Sequence, residues 1–211
     1  MKTHFAILFK SLFLGTITPL VISCTHGQTT ERLLPYIDTR MSTAASITHT
    51  AGMFGKHTEE YGQTLPAVLE PNGMNFWTPQ TQDTEQKCIA PYYYRDSLFQ
   101  GFRNSHWITG GCTQDYGSMT LSALFDSLRC IPEKRGTRFA HEQETATPSY
   151  YSVTLPEEHL QAELTGRSRS AIFRFTYQKA GKAYLIVNPN SDEGEGYIEI
   201  DTLQKRIYGY N

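Results

Sequence analysis

Apolar and polar residues alternate with a period of two along several stretches of the chain. Met119, Leu121, Ala123 and Phe125 alternate with Ser118, Thr120 and Ser122; Tyr151, Val153 and Leu155 repeat the pattern, as do Leu160, Ala162 and Leu164. Phe173, Phe175 and Tyr177 alternate with Arg174 and Thr176. Side chains two positions apart share one face of a strand, so each stretch predicts a half-buried strand. Pro156-Glu157-Glu158-His159 joins two of them as a hairpin, and Lys179-Ala180-Gly181-Lys182 turns into the unbroken apolar run Ala183 to Val187. Tyr197 to Ile200 and Leu203 to Tyr208 close the chain as a further pair.

Upstream the pattern is less regular. Leu33, Leu34, Tyr36 and Ile37 read as an opening strand, and Ala44 to Gly62 as an irregular loop with neither strand nor helix period. Ala67 to Glu70, the turn signal Pro71-Asn72-Gly73 and Met74 to Trp77 read as a hairpin corner. Tyr92-Tyr93-Tyr94 is either an edge strand or a rim of hydroxyls and flat faces suited to a polyol. The run GFRNSHWITGGCTQDYGS, Gly101 to Ser118, shows no periodicity and reads as a functional loop on a β scaffold. No segment predicts a long helix. Many short strands with regular turns predict an all-β fold, a large antiparallel β-sandwich spanning residues 34–211.

The amino end reads differently. Lys2 and Lys10 precede a nearly uncharged apolar stretch that ends in Val21-Ile22-Ser23-Cys24. Residues 1–23 have the form of a lipoprotein-type signal peptide, with Cys24 as the lipid attachment site and residues 24–33 as a polar tether. This predicts an exported protein held on a membrane surface by its lipid alone, because no later apolar run is long enough to span. With Cys24 acylated, Cys88, Cys112 and Cys130 allow at most one intramolecular disulfide.

Composition narrows the function. A chain of 211 residues suits one domain with a sizeable core. With 19 basic and 21 acidic residues, a net charge of -2 and no basic stripe, nucleic acid is not an expected partner. His141-Glu142-Gln143-Glu144 lacks the second His of the H-E-x-x-H zinc motif and reads as a solvated loop. Asn188, Asn190 and Asp192, with Glu199 beyond, approach a calcium-loop spacing, yet Glu193 stands where that loop needs Gly. Ser105, His106 and Asp115 lack the nucleophile elbow of a hydrolytic triad. Trp77 is either a core aromatic or a sugar-stacking platform. Glycoside hydrolysis needs two opposed carboxyl groups, and the sequence alone does not select a pair.

Three runs taken together carry a resemblance: YGQTLPAVLEPNGMNFWTPQT, GFRNSHWITGGCTQDYGS and FAHEQETATPSYYSVTLPEEHLQAEL. In this order they resemble the N-terminal domain of glycoside hydrolase family 92, whose members are exo-acting α-mannosidases. Gly62, Thr64 and Pro66 match a family run in which Gln63 and Ala67 replace His and Gly. In the loop, His106, Cys112 and Asp115-Tyr116-Gly117 are kept while an upstream His is not, and Trp107 is new. His141-Glu142, Glu144, Tyr150 to Leu155 and Ala162-Glu163-Leu164 follow the pattern closely.

The resemblance implies a large β-sandwich followed by an α/α toroid, with a calcium-dependent, inverting active site at their junction. It further implies an α-mannoside-type glycan as ligand, and on that expectation the substrate-binding residues are Trp107 or Trp77, stacking on a pyranose face, and Arg103, His106 and Asp115, bonding hydroxyls, with Tyr116 beside them. Calcium is expected for the full-length family enzyme, and no catalytic or metal-binding residue is assigned in this chain. The catalytic carboxylates would belong to the toroid, supplied in cis or in trans. The sandwich is expected to be incomplete at its C-terminus and this chain alone to be inactive. The expected setting is the periplasm or outer membrane of a Gram-negative bacterium. The alternative reading is a non-catalytic carbohydrate-binding surface lipoprotein, or a truncated remnant.

Overall fold

The alternating segments become strands, and their apolar faces meet. The computed structural model describes residues 36–49, 62, 64–70, 72–74, 76–83, 89–107, 115, 118–190 and 196–211. The strands among them are β1 (Phe76–Gln80), β2 (Leu98–Phe99), β3 (Gly101–Ser105), β4 (Met119–Phe125), β5 (Thr137–Arg138) and β6 (Glu144–Thr147). They continue as β7 (Tyr150–Leu155), β8 (Leu160–Gly166), β9 (Ala171–Tyr177), β10 (Ala183–Pro189), β11 (Tyr197–Asp201) and β12 (Arg206–Tyr210). The one α-helical segment among the described elements is the turn Pro132–Arg135.

Two four-stranded sheets form the layers, in the orders β1-β3-β4-β10 and β6-β7-β8-β9. Every pairing is antiparallel. β2-β5 and β11-β12 form two smaller two-stranded sheets. Trp77, Phe102 and Ala123 from the first layer pack with Tyr151, Val153, Leu160, Ala162 and Leu164 from the second in one buried cluster. Phe102 is fully buried, with Tyr151 edge-on at 5.8 Å and Phe173 tilted at 5.5 Å. Burying one such ring contributes about 1.5–3 kcal/mol. The fold is an antiparallel β-sandwich, as the periodicity predicts.

Residues 179–182 connect the two layers, since β9 lies in one sheet and β10 in the other. The hairpin β7–β8 turns on a short 3-10 helix, Pro156–Glu158, and on His159 in the left-handed region at φ 48°.

Three expectations change. Leu33 and Leu34 lie outside the described residues, and Tyr36 and Ile37 form no strand. The Asp38 carboxylate accepts from the Arg40 backbone N–H at 2.9 Å, a local turn that diverts the chain from extended pairing. The corner at Asn72 has its left-handed residue (φ 63°), but the preceding strand reduces to a single bridge, Val68 to Trp77. Neighbouring donors go elsewhere: Leu69 N–H to the Pro148 carbonyl at 3.3 Å, and Met74 N–H to that of Ser168 at 2.8 Å.

The third change concerns Gly101 to Ser118. Its first five residues are the interior strand β3, and all five are buried. A strand covered on both faces loses the alternation that marks a half-buried one. Gly101 sits at φ 141°, where a Cβ would lie 2.6 Å from the Leu121 carbonyl oxygen. Glycine is required there for β4 to approach.

Candidate functional site

The end of β3 converges on one buried carboxylate. Asp115 Oδ2 accepts from Arg103 Nε at 3.0 Å and from the Ser105 hydroxyl at 2.6 Å, while Oδ1 accepts the His106 backbone N–H at 2.9 Å. Arg103 also donates to the Ser118 hydroxyl at 2.9 Å, and the Trp107 backbone N–H donates to Ser105 Oγ at 3.1 Å. Arg103 and Asp115 are 2% and 7% exposed. A buried ion pair of this kind adds little net stability, but deleting one partner costs about 3–5 kcal/mol. It therefore fixes the backbone at His106 and Trp107, joining the end of β3 to the residues just before β4.

The expected site residues separate into two groups. Arg103, Asp115, His106 and Trp107 come together around the carboxylate. Within that group Arg103 and Asp115 are occupied with one another, and His106 is half-buried. The Trp107 ring is buried with Leu65 and Ala90 in a small second cluster. Trp77 is apart from them, on the sandwich side of β1, with Phe173 edge-on at 4.7 Å. Its environment is that of a core aromatic. Tyr116 lies outside the described residues, as do Cys24, Cys88 and Cys112. Ser105 bonds the aspartate directly, so the three residues do not take the Ser-His-Asp order of a hydrolytic triad.

A partly buried polar layer supports β3 from the side. Thr120 Oγ1 donates to Gln80 Oε1 at 2.6 Å, Asn190 Nδ2 donates to Thr120 at 2.7 Å, and Asn188 Nδ2 to Asn190 Oδ1 at 2.9 Å. Asn188 and Asn190, read in the sequence as part of a calcium-like spacing, are bonded to one another here. Among the described residues no three His, Cys, Asp or Glu side chains converge as a metal site.

A second acidic centre was not evident from the sequence. Glu144, expected in a solvated loop, is buried at the start of β6. Its carboxylate accepts from Tyr92 at 2.9 Å and from Tyr151 at 3.0 Å. Arg40 Nη1 stands 3.5 Å and His141 Nδ1 3.6 Å from the same carboxylate. Burial, then the Glu144 charge, pushes both tyrosine hydroxyls far above the usual phenol range. At the rim, Tyr94 stacks on the His141 ring at 3.9 Å with 9° between planes. Tyr92 and Arg40 come from positions distant in sequence, whereas His141 and Tyr151 lie within seven residues of Glu144.

Residues 36–211 match the model of the glycosyl hydrolase family 92 N-terminal domain. The chain belongs to this family. Among solved structures, an inverting mannosidase of family GH92 from Bacteroides thetaiotaomicron VPI-5482 superposes with a TM-score of 0.61 at 34% identity, over 74% of this chain and 19% of that one. A GH92 alpha-mannosidase from Bacteroides thetaiotaomicron gives 0.62 at 24% identity, over 76% and 20%. Another family gh92 glycosyl hydrolase gives 0.55 at 17%, over 80% and 22%. The latter two likenesses establish fold alone. The family 92 chain described here spans about a fifth of the length of these structures. No match was found among curated proteins.

Proposed function

We propose that this family 92 N-terminal domain binds α-mannoside-type glycans and positions them for hydrolysis by catalytic carboxylates that residues 36–211 do not supply. The observation that carries this reading is the family match over 36–211, which includes the loop anchored by Asp115. The Arg103–Asp115 pair acts as a positioning element. It holds His106 at the end of a rigid strand, and a polar group held rigidly loses less entropy on meeting a sugar hydroxyl. Calcium and the proton-transferring acid and base belong, in this reading, to an α/α domain acting in cis or in trans. The leader-like segment 1–23 and Cys24 make export and lipid anchoring part of the proposal.

The purified 211-residue chain is titrated with methyl α-mannoside and α-mannobiose by isothermal calorimetry, and assayed on aryl α-mannosides with calcium present. The expected result is binding without turnover. His106→Ala should weaken binding about tenfold, equivalent to about 1.4 kcal/mol, while leaving thermal unfolding cooperative. Turnover abolished by a chelator would refute the assignment, and so would the absence of any mannoside binding.

A further inference from the structure

The buried Glu144 centre is joined to the His106–Trp107 segment by a short route through the fold. Arg40 supplies its counter-charge. Arg40 Nε and Nη2 donate to the Asp38 carboxylate at 2.9 and 2.8 Å, and Nη1 donates to the His141 carbonyl at 3.1 Å beside Glu144. A planar guanidinium serves a carboxylate and a carbonyl at once in a fixed geometry. Arg40 thereby ties the turn 38–43 to the start of the second sheet, where the Thr39 N–H also donates to the Ala146 carbonyl at 3.5 Å. The turn closes on itself, since the Arg40 carbonyl accepts the Thr43 backbone N–H at 3.2 Å and the Thr43 hydroxyl at 2.6 Å.

Two segments rest on this turn. Gly62, at φ 85°, meets it so closely that a Cβ would lie 2.6 Å from the Ser42 carbonyl oxygen, and the Thr64 hydroxyl donates to the Met41 carbonyl. Residues 90–94 are bound to it as well: the Tyr94 N–H donates to the Thr43 carbonyl at 2.9 Å, and the Tyr92 hydroxyl reaches Glu144 itself. Leu65 ends the first of these segments and Ala90 begins the second. They are the two residues buried with Trp107 in its cluster. The Trp107 indole N–H has no hydrogen-bond partner although the residue is only 4% exposed, so the ring takes its place from packing. Both of its buried neighbours are thus set by the same turn and the same carboxylate.

We propose that Arg40 and Glu144 are positioning residues for glycan binding: they fix Leu65 and Ala90, which hold Trp107, while the Arg103–Asp115 pair holds the backbone beside it. This rests on the mannoside-binding reading above and adds to it a second, remote set of positioning residues. Their role requires no contact with the sugar, because a displacement of the turn reaches Trp107 through packed side chains.

The chain has two tryptophans, Trp77 and Trp107, so incorporation of 5-fluorotryptophan into the full chain gives two fluorine NMR signals, assigned with Trp77→Phe. Trp77 lies in the sandwich core and reports on the fold, whereas Trp107 reports on the segment after β3. Arg40→Met is expected to move the Trp107 signal toward that of free 5-fluorotryptophan and to leave the Trp77 signal in place. Calorimetry on the same variant should show methyl α-mannoside binding weakened about fivefold. Thr64→Val, which removes a single hydroxyl bond to the turn, should act in the same direction to a smaller extent, and it decides the matter if Arg40→Met does not fold. A Trp107 signal that stays in place in every variant that folds, or moves only together with that of Trp77, overturns the coupling. A displaced Trp107 signal with unchanged mannoside affinity overturns the positioning role. If the parent binds no mannoside, the binding reading falls, and displacement of the Trp107 signal alone still supports the coupling.

Discussion

Arg135 presents an energetic anomaly at the scale of one residue. It ends the helical turn Pro132–Arg135, is 1% exposed, and none of its three guanidinium nitrogens has a hydrogen-bond partner. Burial pulls its pKa below the ordinary arginine value, with smaller opposing effects of Cys130 and Glu133. Arginine remains charged under all ordinary conditions, so the cost falls on folding. By contrast, the buried Glu158 is satisfied: it receives the Phe125 N–H and the side chains of Arg129 and Thr137. Replacing a buried, unpaired cation by an apolar side chain of similar length removes a desolvation penalty of about 1–3 kcal/mol or more. Arg135→Met is therefore expected to raise the thermal midpoint of the chain. A lower midpoint would show that the guanidinium has a stabilising partner in solution.

Elements of the second sheet are coupled by a cross-strand pair on its outer face. Glu163 on β8 stands opposite Arg174 on β9, which donates to its carboxylate, and the Tyr150 hydroxyl donates to it at 2.7 Å. The hydrogen bonds from Arg174, then the one from Tyr150, hold the Glu163 carboxyl at about 2 against an ordinary value of 4.5. A depressed carboxyl contributes stability that is fully present above its unfolded value and is lost as pH falls toward the folded one. Glu163→Gln should accordingly lower the thermal midpoint most at neutral pH, with the gap to the parent closing between about pH 4.5 and 2. A gap independent of pH would exclude this linkage.

This same sheet was the most legible part of the sequence, because β7, β8 and β9 each direct apolar side chains to the core at period-two spacing. β3 was not legible: Phe102 faces the sandwich, Arg103 is buried against Asp115, and two covered faces leave no alternation to read. The site divides in the same way. His106 and Asp115 stood in a run of unusual composition, whereas Glu144 depends on Tyr92, which only the folded chain brings to it, as well as on Tyr151 of the adjacent strand β7.

For the molecule as a whole, the question is whether two sheets of different legibility unfold as one unit. Phe102 on β3 touches Tyr151 on β7 and Phe173 and Phe175 on β9, so a single ring spans the interface between layers. The connection at residues 179–182 binds them again, where Phe125 of the first sheet packs on Tyr177 of the second at 5.7 Å. Truncating a buried Phe to Ala removes transfer energy and leaves a cavity, at a cost of about 3–5 kcal/mol. Phe102→Ala should lower the urea midpoint without changing the slope of the transition. In native-state hydrogen exchange, the most protected amides of β3 and β7 should lose the same protection, because both open through the same global event. If protection falls in β3 while β7 keeps that of the parent, the layers are separate cooperative units. The Arg103–Asp115 pair would then depend on the first sheet alone.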